Sequence, residues 1–170
     1  SSFSEQTDID WSICWGMSYN VFKCHVVHLG RNNPHQVYTM FGEQIPKSAE
    51  EKDVGITISD TMRPSRHCSE IARKAMAVIY QISKSFHYRD RNVFDRLHKT
   101  YVRCLVEYAS PSWSPWTSAD IETVEKVQKR FVSLIPGLTG TYEEKLQSLG
   151  LQSLEERRKR SDMVATFKII

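Results

Sequence analysis

The stretch VGITISDTMRPSRHCSEIARKAMAVIYQISKSF, residues 54–86, decides the fold, because the spacing of its apolar residues changes at Pro64. Ahead of the proline, Val54-Gly55-Ile56-Thr57-Ile58 is a short β-branched run of strand type. Behind it, Ile71, Ala75, Val78, Ile79, Ile82 and Phe86 recur at helical spacing and make one stripe, leaving Arg66, Arg73, Lys74 and Lys84 for the opposite side. No single element serves both periods, so the chain divides here into residues 1–62 and residues 63–170. The expected fold class is α+β: a short antiparallel β part followed by a mostly α-helical bundle.

Upstream, Asp8 to Gly16 reads as the last turns of a helix stopped at the glycine. Val21 to Leu29 alternates, with Phe22, Cys24 and Val26 against Lys23, His25 and Val27, which predicts a strand ended by Gly30. Arg31-Asn32-Asn33-Pro34 is a turn, Val37 to Phe41 a second β run and Val54 to Ile58 a third, with a polar segment over residues 47–52 between them. Together they predict an antiparallel meander.

Downstream the helical period persists. Asp90 is placed to cap a helix with the stripe Phe94, Leu97, Tyr101, Cys104, Leu105 and Tyr108. A third helix starts near Thr117 or Ser118, carries Ile121, Val124, Phe131, Leu134 and Ile135, and stops at Pro136-Gly137. Thr141-x-x-Glu144 and Ser153-x-x-Glu156 are capping boxes that open a short helix ending at Gly150 and a last helix. In that last helix, Arg157-Arg158-Lys159-Arg160 reads as a solvated face paired with Glu155 and Glu156. Trp113-Ser-Pro-Trp116 reads as a packed turn whose two indoles cover the core.

The chain has 170 residues, 40% hydrophobic and 25% charged, enough to bury a core and too short for a large multidomain enzyme. No apolar run approaches the roughly 18 residues of a membrane span, and Ser1-Ser2-Phe3-Ser4 is no export signal. Cys14, Cys24, Cys68 and Cys104 form no Cys-x-x-Cys pair, which favours a reduced, intracellular chain over a disulfide scaffold or zinc ribbon. The metal expectation is none: neighbours such as Cys24 and His25 point to opposite faces of a strand, and His67-Cys68 has no second ligand pair. No nucleophile elbow or glycine-rich phosphate loop occurs. The start without an initiator Met reads as a fragment.

The net charge of +3 is unevenly spread. Residues 63–103 carry 10 basic and 3 acidic side chains, against 4 and 8 before them and 9 and 9 after. Two readings of this surplus stand: a surface that displaces counterions from a nucleic-acid backbone, or a solvated helix face. The candidate nucleic-acid contacts are Arg63, Arg66, Arg73, Lys74, Lys84, Arg89 and Arg91.

Several strings resemble one family in order and wording: Trp15-Gly16-Met17-Ser18-x-Asn20-Val21-x-Lys23-Cys24-His25-Val26-x-His28-Leu29-Gly30, Glu51-Lys52-Asp53-Val54-Gly55-x-x-Ile58-Ser59, Phe86-x-Tyr88-Arg89-Asp90, Tyr101-Val102-Arg103, Glu107-Tyr108-Ala109, Trp113-Ser114-Pro115, Val124-Glu125-Lys126-Val127-Gln128, Tyr142-Glu143-Glu144-x-Leu146 and Asp162-Met163-Val164. They resemble the reverse transcriptase of jockey-type LINE (non-LTR) retrotransposons, an RNA-directed DNA polymerase, over the end of its palm and the adjoining thumb. The resemblance implies that residues 1–62 are palm and residues 63–170 thumb and post-thumb. It implies that Asn20 and Lys23 belong to the motif after the catalytic loop, with Lys23 near the incoming nucleotide's phosphates, and that Val54, Gly55 and Ile56 form the primer grip. The implied partner is an RNA/DNA primer–template duplex, with Mg²⁺ as cofactor of the full enzyme and none in this chain, and with cytoplasm and nucleus as compartments.

The departures are as informative. Two-metal nucleotidyl transfer needs a carboxylate clamp, in this family an upstream Asp and an Ala-Asp-Asp loop, and the chain contains no Asp-Asp pair. Cys104-Leu105 stands where the family usually has Pro-His, and Tyr19 and Phe22 are unusual beside Asn20 and Lys23. No residue is therefore assigned as catalytic. Three functions remain open: a duplex-binding part of a reverse transcriptase, inactive alone; a non-catalytic helical protein-interaction module; and an active polymerase whose other half comes from another chain.

Overall fold

The computed structural model describes residues 10–30, 32–88 and 90–169. Their fold is mixed α and β, in two compact units that meet in sequence at Arg63 and Pro64.

The first unit is poor in regular structure. Residues 10–14 form a helical turn that ends at Gly16, whose φ of +63° lies in the left-handed region glycine tolerates. The alternation over Val21 to Leu29 does not produce a strand of that length. Asn20 Oδ1 accepts the Phe22 N–H at 3.1 Å and starts a 3-10 turn, Val21–Lys23, so only Val26–Val27 (β1) is extended. A short asparagine side chain competes for the backbone, and it prevails where no sheet neighbour rewards extension. Among the described residues before Pro64, the buried ones are Ser12 and His28.

The remaining strands are Thr39–Met40 (β2), Glu43–Gln44 (β3), Lys47–Ser48 (β4), Glu50–Asp53 (β5) and Ile56–Ser59 (β6). They form three separate pairs instead of one meander: β2 with β3 and β5 with β6 antiparallel, and β1 with β4 parallel, Val26 opposite Lys47. Both hairpins close through two residues of positive φ, Phe41-Gly42 (+53° and +80°) and Val54-Gly55 (+45° and +85°). That is the turn whose twist suits the flanking strands. The strand expected over Val54 to Ile58 is thus a turn plus β6, and the polar segment supplies β5.

The second unit carries the core. Helix α1 (Ser65–Ser85) buries Cys68, Ile71, Ala72, Ala75, Ile79 and Ile82, while Val78 is half-buried and Phe86 exposed past the helix end. Asp90 Oδ1 accepts the N–H groups of Asn92 and Val93 and caps α2 (Arg91–Leu97). A π-helical segment (His98–Val102) joins α2 to α3 (Arg103–Glu107). The wide turn of this segment rotates the faces of α3 relative to those of α2. The buried residues therefore run Phe94, His98, Val102, Val106 at steps of four, and Tyr101, Cys104 and Tyr108 are exposed, contrary to the expected stripe.

A short helix the periodicity had not revealed, α4 (Ser110–Trp113), comes after Ala109, which holds φ at +49°. Trp113 is buried and donates its indole N–H to the Tyr108 carbonyl at 2.7 Å, but Trp116 is exposed, so one indole covers the core instead of two. Thr117 caps α5 (Ser118–Val132), which packs along α1 and ends four residues before Pro136. Phe131 lies at the centre, its ring 5.8 Å from Phe94 and 4.9 Å from His98. Full burial of such a ring contributes about 2–3 kcal/mol. Both capping boxes form, opening α6 (Tyr142–Leu149) and α7 (Leu154–Ile169). Among the described residues no helix is long and apolar enough to cross a membrane.

Candidate nucleic-acid interface

Helix α1 turns the expected basic residues into a geometric statement. At 3.6 residues per turn, Arg66, Arg73 and Lys84 fall on one line roughly 180° from the centre of the buried stripe, and all three are exposed. Arg73 and Lys84 stand about 16 Å apart along the axis, close to five nucleotide steps of about 3.4 Å on one strand.

Neighbours modify the line. The Arg66 Nε donates to Glu70 Oε1 at 3.1 Å, an exposed i,i+4 pair that offsets one charge. The Lys84 ammonium lies 5.3 Å from the centre of the Tyr80 ring, which holds it on this face. Lys74 is half-buried on the flank of the helix, off the line. Arg91 donates to the Ser148 carbonyl, tying the start of α2 to α6, so its guanidinium already has a structural acceptor. Arg63 is exposed in the first unit, where it helps line a cavity of about 370 Å³ with His28, His35, Asp60 and Thr61. Arg89 lies outside the described residues. Of the seven expected contacts, three share a face.

The other expected sites are also placed. Asn20 is exposed and its side chain caps the turn that carries Lys23, itself exposed, so Lys23 sits on a 3-10 turn and not on a strand. Val54 and Gly55 form the tip of the β5–β6 hairpin, and half-buried Ile56 begins β6. His25 Nδ1 is 3.4 Å from Glu51 Oε2. Among the described residues no three His, Cys, Asp or Glu side chains converge in a way that would hold a metal ion. Cys68 is fully buried, and burial pushes its thiol up to about 12.

The basic run of α7 departs most from expectation. Arg157 pairs with Glu107 across the bundle, and Arg158 is 3% exposed instead of solvated. The signal was present in the spacing, since Arg158 lies four residues after Leu154, which is fully buried, and so shares its face. Two further cavities flank this helix: one of about 520 Å³ lined by Glu125, Tyr142, Glu143, Leu146, Glu155 and Glu156, and one of about 300 Å³ lined by Glu107, Ser110, Arg157, Arg158, Arg160 and Ser161. The first is acidic and the second basic. The chain matches no protein-family model, no curated protein and no solved structure.

Proposed function

We propose that this chain is the duplex-holding part of a jockey-type LINE reverse transcriptase, the end of its palm joined to its thumb. Its task is to bind the RNA/DNA primer–template duplex through helix α1. The observation that carries this reading is the exposed line Arg66, Arg73 and Lys84 on the side of a 21-residue helix opposite its core stripe. A rigid helix holds cations at fixed spacing against phosphates, and such contacts position a duplex without reading its sequence. The ordered strings shared with the family support the same assignment, and the Val54-Gly55 hairpin tip supports the primer-grip reading. With no Asp-Asp pair to clamp two metal ions, the 170-residue chain binds duplex without extending a primer.

The test is anisotropy of a labelled RNA/DNA duplex across a salt series, with primer extension in Mg²⁺ measured in parallel. Binding that weakens linearly in log salt, without extension, is expected. Absence of binding at low salt would overturn the reading. A second reading, a protein-interaction module, is favoured by the last turns of α7, where Met163, Val164, Phe167 and Ile169 are exposed, Phe167 by 83%. Self-association that persists at high salt and is lost on Phe167→Ser would favour it.

A further inference from the structure

We infer that the basic cavity between α3, α4 and α7 is a binding site for a phosphoryl oxyanion. Its walls hold one carboxylate, Glu107, and that carboxylate is already satisfied. Arg157 donates to Glu107 Oε1 through Nε and to Oε2 through Nη2 at 2.9 Å, and the Arg103 Nε stands 3.7 Å from Oε2. The positive charges left over on the cavity wall belong to Arg158 and Arg160.

Arg158 is the reason to expect a ligand. It is 3% exposed, and neither terminal nitrogen of its guanidinium has a hydrogen-bond partner. A guanidinium cannot shed its charge at accessible pH, so burial leaves it with donors that water no longer serves. Glu125, Glu155 and Asp162 act on it through space, Glu125 most strongly, yet none accepts a hydrogen bond from those nitrogens.

Apart from Val164, the rest of the wall adds further donors. Arg160 is exposed, the Ser161 hydroxyl lies on the same face of α7, and Ser110 of α4 faces them. Arg157, Arg160, Ser161 and Val164 recur at three- and four-residue steps, so one helix face presents the set, and the strained φ of Ala109 turns the chain to bring Ser110 to it. Guanidinium groups with hydroxyls suit a tetrahedral oxyanion, which offers several acceptor oxygens at once. A cavity of about 300 Å³ admits the phosphoryl group together with its ester substituent. None of these residues belongs to the α1 line, so the site stands or falls independently of the polymerase reading.

The experiment uses the full chain and inorganic phosphate as probe. Amide spectra are recorded during titration with phosphate and, at equal ionic strength, with chloride. Phosphate should shift the Ser110 and Ser161 signals saturably and raise the melting temperature beyond chloride. Arg160→Gln with Ser161→Ala, both outside the core, should weaken phosphate binding at least about tenfold, and Arg73→Gln should not. If a short duplex competes with phosphate at these signals, the natural source is a backbone phosphodiester. If duplex and phosphate bind independently, it is a small phosphorylated molecule. Equal responses to phosphate and chloride, or phosphate binding that survives the double substitution, would overturn the site.

Discussion

The guanidinium of Arg157 and the carboxylate of Glu107 meet as two parallel forks, 50 residues apart in sequence, and join α7 to α3. Both side chains are partly buried, at 32% and 23% exposure, so the pair escapes much of the screening that makes surface ion pairs weak. Hydrogen bonding to Glu107 raises the Arg157 pKa above its ordinary value, against the opposing effect of burial.

Glu107→Gln and Arg157→Gln should each destabilise the helical unit by about 1–2 kcal/mol, with a coupling of about 1 kcal/mol in a double-mutant cycle. Arg157→Lys should not restore the loss, because an ammonium cannot fork. Urea unfolding of these variants, the double variant and the parent measures it, and a coupling near zero would mark the pair as solvated.

His98 should make stability pH-dependent. It is 1% exposed against Phe131, neither ring nitrogen has a partner, and burial, aided by Arg103, lowers its pKa from 6.5 to about 4. A histidine depressed in the fold binds protons more readily when unfolded. Its contribution is therefore complete above pH 6.5 and is lost as pH falls toward 4, by up to about 3 kcal/mol. His98→Phe keeps the ring contact and should flatten the stability curve between pH 6.5 and 4 relative to the parent. Parallel curves would exclude His98 as the titrating group.

Val54 holds φ at +45°, a conformation that a β-branched residue adopts only under strain. Val54→Asn would convert the β5–β6 turn to Asn-Gly, the dipeptide it favours, and stabilise the hairpin by about 0.5–1 kcal/mol. Amide exchange across residues 50–59 should slow. If the turn engages a primer, as proposed, duplex affinity should fall while the hairpin gains stability; faster exchange would contradict the strain argument.

Arg73→Ala with Lys84→Ala should reduce the slope of log affinity against log salt by nearly two units on duplex DNA, at about 0.9 per lost phosphate contact. The helix should keep its circular dichroism, since both residues lie opposite the core. An unchanged slope would leave them as solvated surface.

Much of this architecture was legible from neighbouring residues alone. The break at Pro64, the stripe of α1, and the caps at Asp90, Thr141 and Ser153 depend on groups within one helical turn, and so does the exposure of Arg66, Arg73 and Lys84. Local spacing determines which side of a helix is apolar, whatever packs on it. What only the tertiary structure decided involves partners far along the chain. The π-helical segment moved the buried set to His98, Val102 and Val106, with His98 against Phe131 of α5, and the extended part of Val21 to Leu29 was confined to Val26–Val27, which pairs with Lys47–Ser48. Arg91 was drawn to Ser148, and the charge run of α7 was split, Arg157 onto Glu107 and Arg158 into the interior. A side chain's charge is written in the sequence, but whether water or another helix receives it depends on which surfaces the packed elements leave open.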